Sequence, residues 1–315
     1  MSTSASKVET KAGTAKAGRH NYVVVTPARN EAAFIELTLK SMVAQTVKPL
    51  KWVIVSDGST DGTDEIVKRY SEKNEWIELL RMPERKERHF AGKVHAFNAG
   101  YARVKDLPYD FIASLDADLS FDEGYFGFLL GKFDEHPGLG LAGTPFREGE
   151  ETYNYQFTSV EHVSGACQLF KRECFESIGG YVPLKVGGID LTAVLTARKN
   201  GWKTRTFTEK YSNHHRKMGT ANSRRLMTTF KGGYHDYLMG GHPVWQIFRS
   251  LYQMGRKPLV VGGSVLFAGY FWAIVKGEKW VVPQDLVKFR RTEQMQRLRA
   301  FLRQRFTGAA PKAAS

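Results

Sequence analysis

Cysteine is almost absent from this chain. Its 315 residues hold two thiols, Cys167 and Cys174, with six residues between them and no C-x-x-C pair. That excludes a disulfide framework and a cysteine zinc site, and both side chains read as reduced thiols in a cytosolic setting. An apolar leader is missing too. Residues 1–20 are rich in Ser, Thr, Ala, Gly and Lys, so no secretory signal is expected and the segment reads as a disordered tail. Long hydrophobic runs are scarce. Pro258–Val275 is free of charge for 18 residues, and as a helix it would reach roughly 27 Å, just short of a hydrocarbon core. Acids are scarce towards the C-terminus. From Arg249 onward, 13 lysines and arginines face Glu278, Asp285 and Glu293, which leaves ten of the chain's fourteen net positive charges in the last 67 residues.

What is present is ordinary for a folded domain. Hydrophobic residues make up 42% and charged residues 25%, enough for a buried core. A surplus of fourteen positive charges suits an anionic partner: nucleic acid, phospholipid or a phosphorylated substrate. Charge alone does not choose among them. The C-terminal pattern does more. Tyr270 and Trp272 fit an interfacial belt, and Lys288–Arg305 interleaves Phe289, Met295, Leu298, Phe301 and Leu302 with arginine. Two readings stand: a basic amphipathic helix on an anionic bilayer, or a core helix with a solvated basic face. The first is the expectation, and no nucleic-acid partner is expected.

The first half alternates strands and helices. Tyr22–Thr26 is a β-branched run that Pro27 should stop, and Glu31–Gln45 has apolar residues at helical spacing. Trp52–Val55, Trp76–Leu80, Phe111–Leu115 and Leu139–Gly143 read as further strands. Asp64–Tyr70, Gly92–Val104 and Phe121–Phe133 read as helices, with an N-cap expected within Thr60–Thr63 and a charged loop at 84–89. Beyond Gly143 the alternation loosens to a strand at Ala166–Phe170, a helical turn at Glu173–Ile178, a helix at Asp190–Asn200 and a strand at Thr204–Thr208. This spacing predicts an α/β fold: a mostly parallel central sheet with helices on both faces and its chemistry at the carboxyl ends of the strands. The expected domains are a tail (1–20), a catalytic domain (21–235) and a basic helical segment (236–315).

Three strand ends carry polar, turn-forming clusters. Pro27-Ala28-Arg29-Asn30-Glu31 follows the first strand, Asp57-Gly58-Ser59-Thr60-Asp61-Gly62-Thr63 the second, and Asp116-Ala117-Asp118 the fourth. Strand alternation should turn Asp116 and Asp118 the same way, and converging carboxylates repel unless a cation intervenes. A divalent metal holding a diphosphate satisfies them. Asp57 either caps a turn or accepts hydrogen bonds from a nucleobase, with Gly58 permitting close approach.

In order, these pieces resemble the family 2 glycosyltransferases with their GT-A fold. The likeness runs through VVVTPARNEAAFIELTLKSMVAQTVKPLKWVIVSDGSTDGT, Gly92–Gly100, the D-A-D triplet and Cys167–Asp190, and covers about Asn21–Gly219. The resemblance implies that Pro27, Arg29, Glu31, Asp57 and Gly58 line a nucleoside pocket. It puts Lys93 on the donor side and Asp116 and Ala117 near the ribose. It makes Asp118, with Asp116, a ligand of Mg or Mn. Asp190 would be the catalytic base, and His214 or His215 would touch metal or phosphate; a core or surface role is the other reading of those two histidines. The implied donor is a UDP-, GDP- or dTDP-linked sugar.

Two departures stand out. Ile189 occupies the place before the base where the family often has an acid, and the Q-x-x-R-W sequence of processive synthases is missing. A single-addition, inverting enzyme at the cytoplasmic face of the inner membrane is therefore expected, acting on a lipid-linked glycan or polysaccharide precursor. A polyprenyl phosphate acceptor is the close alternative. The rivals from other classes are a nucleotidyltransferase and a non-enzymatic basic membrane-binding protein.

Overall fold

The computed structural model describes residues 20–84, 90–149, 151–152, 159–216, 222–256 and 259–307. The expected disordered tail, apart from His20, and residues 85–89 of the expected charged loop lie outside the described residues.

The first half runs β1 (Tyr22–Ala28), α1 (Ile35–Val43), β2 (Lys51–Asp57), α2 (Thr63–Ser71), β3 (Ile77–Met82), α3 (Ala91–Val104), β4 (Phe111–Leu115), β5 (Leu119–Ser120), α4 (Tyr125–Glu135) and β6 (Leu139–Gly143). Then follow β7 (Phe146–Glu148), β8 (Glu151–Thr152), β9 (Cys167–Lys171), α5 (Arg172–Ser177), α6 (Ile189–Lys199), β10 (Lys203–Thr206) and β11 (Ser212–His214). Four helices close the chain: α7 (Asn222–Leu238), α8 (Pro243–Met254), α9 (Val261–Val275) and α10 (Gln284–Thr307). The expected boundary at 235 falls inside α7.

Seven strands form the central sheet in the order β10-β6-β9-β4-β1-β2-β3. All neighbours are parallel except β9, which runs antiparallel to both β4 and β6. The α/β expectation holds, with that one reversed strand. Alternation along β1 and β2 explains why both faces need helices. Tyr22, Val24, Trp52 and Ile54 join the core formed with α1 and α4. Val23, Val25, Val53 and Val55 join the core formed with α3, α5 and α6. All eight side chains are fully buried, and each aliphatic one contributes roughly 1.5–3 kcal/mol by leaving water.

Several local expectations shift for identifiable reasons. Pro27 does not stop β1, which pairs with β2 through Ala28. Pairing with β4 ends at Val25, so Pro27 sits where β1 has one neighbour and its missing N–H breaks no second ladder. No side chain caps α2. Gly62 occupies its N-cap at φ +92°, and Asp61 instead accepts from the backbone and hydroxyl of Thr63. The helix expected from Phe121 starts at Tyr125, because Leu119–Ser120 pairs as a strand and Asp122 turns the chain by accepting from Gly124 N. Both cysteines are buried and unbonded, and burial pushes each thiol up to about 12.

The closing helices meet through glycine. A Cβ added at Gly233 would lie 2.0 Å from the Leu266 carbonyl oxygen, and one at Gly269 2.0 Å from that of Phe230. The α7 and α9 backbones therefore touch. Replacing Gly269 with alanine gains about 1 kcal/mol of helix propensity but adds a clash worth about 3 kcal/mol. The expected net loss is about 2 kcal/mol, seen as a fall in Tm of roughly 4 °C. Ala268→Ser, on the exposed face, is the control and leaves Tm unchanged.

Two expectations for this segment are corrected. Tyr270 is not interfacial but core: it is 1% exposed and donates to Gly241 O. Nor is α10 a simple amphipathic helix. Its inward stripe places Arg290 and Gln294 between Leu286 and Leu298, while Phe301 and Leu302 are exposed. Arg290 turns inward because it donates to Asp236 Oδ1 and Met239 O. No helix among the described residues is long and apolar enough to cross a membrane.

Candidate active site

β4, β1 and β2 are adjacent and parallel, so their carboxyl ends open side by side. The chain moves outward from β1 through β2 to β3 and then returns to the other side of β1 as β4. A crevice is expected at such a reversal. A cavity of about 590 Å³ opens there, lined by Pro27, Arg29, Glu31, Asp57, Lys93, Asp116, Ala117, Asp118, His214 and Arg216. The three strand-end clusters thus share one wall. Gly58 is not part of the lining. Its φ of +66° and the approach of the Glu84 backbone, 2.5 Å from where a Cβ would stand, let the chain turn just behind Asp57.

The acids are set by charge. Arg29 lies 3.8 Å from Asp57. Arg216 pairs with Glu31 and stands 3.4 Å from Asp118 Oδ2, bridging the ends of the first and fourth strands. Burial raises the Glu31 pKa; Arg216 opposes the rise, and Asp118 and Asp116 add to it. Lys93, on the first turn of α3, donates to Asp116 at 2.5 Å. Burial works against the Lys93 charge, yet Asp116, Asp190 and Asp118 hold its pKa above the usual lysine value.

Asp116–Asp118 does not continue β4, which ends at Leu115; the triplet is the turn between β4 and β5. Its two carboxylates therefore take different partners. Asp116 faces Lys93, and Asp118 faces His214 and Arg216. A second, four-stranded sheet in the order β5-β11-β7-β8 makes this possible. It sets His214 opposite Leu119 and beside β7. His214 Nε2 lies 3.4 Å from Asp118 Oδ2, and its Nδ1 lies 3.1 Å from Glu148 Oε1. His215 turns the other way, within 2.8 Å of Ser120 Oγ, and lines neither cavity of the site. Of the two histidines only His214 enters the site.

Among the described residues no group of three or more His, Cys, Asp or Glu side chains closes on one point. Asp118 and His214 still fit a hard divalent cation, which accepts carboxylate oxygen and imidazole together. Glu148 stands behind the imidazole at ion-pair distance but makes no hydrogen bond to it among the described residues. Asp116 is engaged by Lys93 and is the weaker candidate.

Asp190 lines an adjoining cavity of about 310 Å³. It sits in the first turn of α6, behind Gly188 at φ +84°, and a Cβ on Gly165 would stand 3.1 Å from its own Cβ. Phe90, Lys93, Asp116 and His214 line both cavities and form the partition between them. Asp57 and Asp118 therefore face one compartment and Asp190 the next, across a wall of side chains. Ile189, where an acid was expected, lines the Asp190 compartment. Sequence reading missed Glu148, Lys185 and Phe90, which sit on short strands or loops without periodic pattern.

Comparison with known proteins bears on the family and the fold. The description Glycosyl transferase family 2 matches residues 23–187, a span that ends just before Asp190. Poly-beta-1,6-N-acetyl-D-glucosamine synthase of Staphylococcus aureus strain COL is 29% identical over 136 residues, 43% of this chain and 31% of the relative. Its Staphylococcus epidermidis namesake is 24% identical over 174 residues, 48% of this chain and 39% of the relative. The chain thus matches about a third of the length of these curated relatives. Among solved structures, the mannosyltransferase PcManGT of Pyrobaculum calidifontis, in complex with GDP-Man and Mn2+, superposes with a TM-score of 0.54 at 17% identity, covering 92% of this chain and 88% of that one. S. aureus TarS 1–349 in complex with UDP-GlcNAc gives 0.50 at 13% identity, covering 82% and 73%. At such identities the superpositions show the fold, a GT-A arrangement.

Proposed function

We propose the following on one premise: this chain belongs to glycosyl transferase family 2 and is a glycosyltransferase. The larger compartment takes the nucleoside diphosphate of a sugar nucleotide, and the sugar reaches across the partition towards Asp190. The observation that carries this reading is the shared wall. Lys93, Asp116 and His214 border both compartments, so a donor held by the first presents its anomeric carbon to the second.

Each residue then has a task. Asp57 and Arg29 meet the nucleoside, with Pro27 and Ala117 as apolar walls. Lys93 and Arg216 bring positive charge to the diphosphate. Asp118 and His214 are the residues that would hold Mg or Mn, and that ion, when bound, stabilises charge on the departing diphosphate. Asp190 accepts the proton of an acceptor hydroxyl as its oxygen attacks the anomeric carbon. The new carbon–oxygen bond forms as the bond to the diphosphate breaks, and the nucleoside diphosphate leaves with the bonding pair. One displacement inverts the anomeric centre.

The acceptor is proposed to be a lipid-linked glycan or polysaccharide precursor at the cytoplasmic face of the inner membrane, extended by single additions. The exposed faces of α8 and α9 support this. Val244, Ile247 and Leu251 on α8, and Val261, Phe267, Trp272, Ile274 and Val275 on α9, face outward beside Lys276. An apolar ridge within a basic segment suits the surface of an anionic bilayer. Co-sedimentation with phosphatidylglycerol vesicles should occur at low salt and fade as salt rises; binding that ignores salt would remove the electrostatic part.

The test of function is a donor screen with membranes as acceptor source. Released nucleoside diphosphate supports glycosyl transfer. Released pyrophosphate would mark a nucleotidyltransferase, a reading disfavoured because the end of β1 and the residues after it run Pro27-Ala28-Arg29-Asn30-Glu31, with no glycine and no net positive charge.

A further inference from the structure

A third cavity, of about 560 Å³, lies behind the Asp190 compartment, between α6 and the closing helices. Neighbouring residues connect the two spaces. On α6, Asp190 faces the catalytic compartment, while Leu191, Leu195 and Arg198 face this one. On the preceding segment Ser164 and Gly165 line the first and His162 the second. His235, in the wall, comes within 3.0 Å of where a Cβ on Gly188 would stand, next to the N-terminus of α6.

The wall is cationic. Arg198, Arg249, Arg256, Arg290 and Arg297 stand against two carboxylates, Asp236 and Glu293. Two of these arginines tie helices together, Arg290 to Asp236 at 2.6 Å and Arg198 to Glu293 at 2.7 Å, and Arg297 ties α10 to Glu161 in the turn before β9 at 2.6 Å. Of the other two, Arg249 is on α8 and Arg256 lies just past its C-terminal end. Arg249 lies 3.6 Å from an Asp236 oxygen that Arg290 already holds, and Arg256 donates to the Tyr252 hydroxyl. Polar atoms are also left over: among the described residues, Arg198 Nε, His235 Nε2 and Asp236 Oδ2 are buried without a hydrogen-bond partner. Arg198 is nine-tenths buried, so its orphaned N–H is costly unless a ligand accepts it. Burial lowers the His162 pKa, Asp190 opposes that, and Arg198, Arg297 and Arg290 reinforce it, so His162 feels both spaces.

Helix α8 has three faces. Trp245, Phe248, Arg249 and Tyr252 turn to the cavity. Gln246 and Ser250 are buried, with Gly263 of α9 packed on the Ser250 carbonyl. Val244, Ile247 and Leu251 are exposed and follow the cavity face around the helix. An anion site therefore borders an apolar ridge.

We propose that this cavity binds the phosphate or diphosphate of an isoprenoid-linked acceptor, whose chain leaves over the apolar face of α8. The assignment rests on the acceptor reading given above and names where its charged head is held. Guanidinium groups suit phosphate oxygens, and a head fixed here brings its sugar or terminal hydroxyl towards Asp190.

The test is calorimetry on the full chain with UDP, GDP, dTDP, farnesyl diphosphate, inorganic pyrophosphate and phosphatidylglycerol vesicles. Farnesyl diphosphate should bind more tightly than pyrophosphate. In R249Q/R256Q its affinity should fall at least tenfold while UDP affinity stays within about twofold, which also shows that the variant is folded. R249K/R256K, which keeps the charge, should recover part of the loss. Unchanged farnesyl diphosphate binding in R249Q/R256Q overturns the proposal. So does pyrophosphate binding as tightly as the lipid, or a double-variant defect confined to vesicles. Any of these with UDP binding intact removes the acceptor site alone. If wild-type protein binds none of the UDP, GDP and dTDP nucleotides, the donor reading falls, and the acceptor site with it.

Discussion

Replacing Asp190 with asparagine lowers the rate of sugar transfer by about a thousandfold and leaves donor affinity within about twofold. The size follows from the role. A positioned general base contributes roughly 10²–10⁴ in rate, and an amide of the same shape cannot take the proton. The selectivity follows from position. Asp190 lines the smaller compartment, whereas Asp57, Arg29, Asp118 and Arg216 line the larger one. The substitution keeps the Cβ and shape of the side chain that leaves no room for a Cβ at Gly165, so the start of α6 keeps its seat. Single-turnover rates with radiolabelled donor, set beside nucleotide titration, separate the two effects. Transfer at more than a tenth of the wild-type rate would take Asp190 out of the base role.

Asp118→Ala should act on the other half of the reaction. It removes a carboxylate held between His214 and Arg216. Donor binding should then lose its dependence on manganese, with affinity in the presence of the ion falling about 10–100-fold, the scale on which a metal-site defect registers. Affinity without manganese should change little, because Arg29, Asp57 and Lys93 are untouched. Calorimetry with and without manganese reads this directly. An unchanged manganese response would mean that Asp118 does not hold the ion. His215→Ala is the matched control: its side chain turns to Ser120, and the same titration should be unaffected.

Much of this architecture was legible before any coordinates. β1, β4 and β6 are short β-branched or apolar runs closed by polar turns, and burial on both faces leaves such segments no other place. Asp57, Asp116 and Asp118 could be found because turn residues at successive strand ends must open on the same edge of a parallel sheet. The small second sheet was not legible. Its strands are two or three residues long, too short for any period to show, so Glu148 gave no signal and the choice between His214 and His215 stayed open. Antiparallel β9 was equally hidden, since a five-residue apolar strand reads the same in either direction. Arg290 misled in another way. An arginine among arginines suggests solvent, and only the position of Asp236 on a distant helix turns it inward.

The partition built from Phe90, Lys93, Asp116 and His214 has a consequence for an enzyme waiting with donor but no acceptor. Among the described residues that barrier is made of side chains rather than backbone, so on the proposed mechanism water can reach the reactive carbon once the space beside Asp190 stands empty. A base that activates a hydroxyl can also activate water. If Asp190 is the base proposed above, wasteful donor breakdown would be restrained by occupancy of the neighbouring space, and the arriving acceptor would act as a stopper as well as a nucleophile.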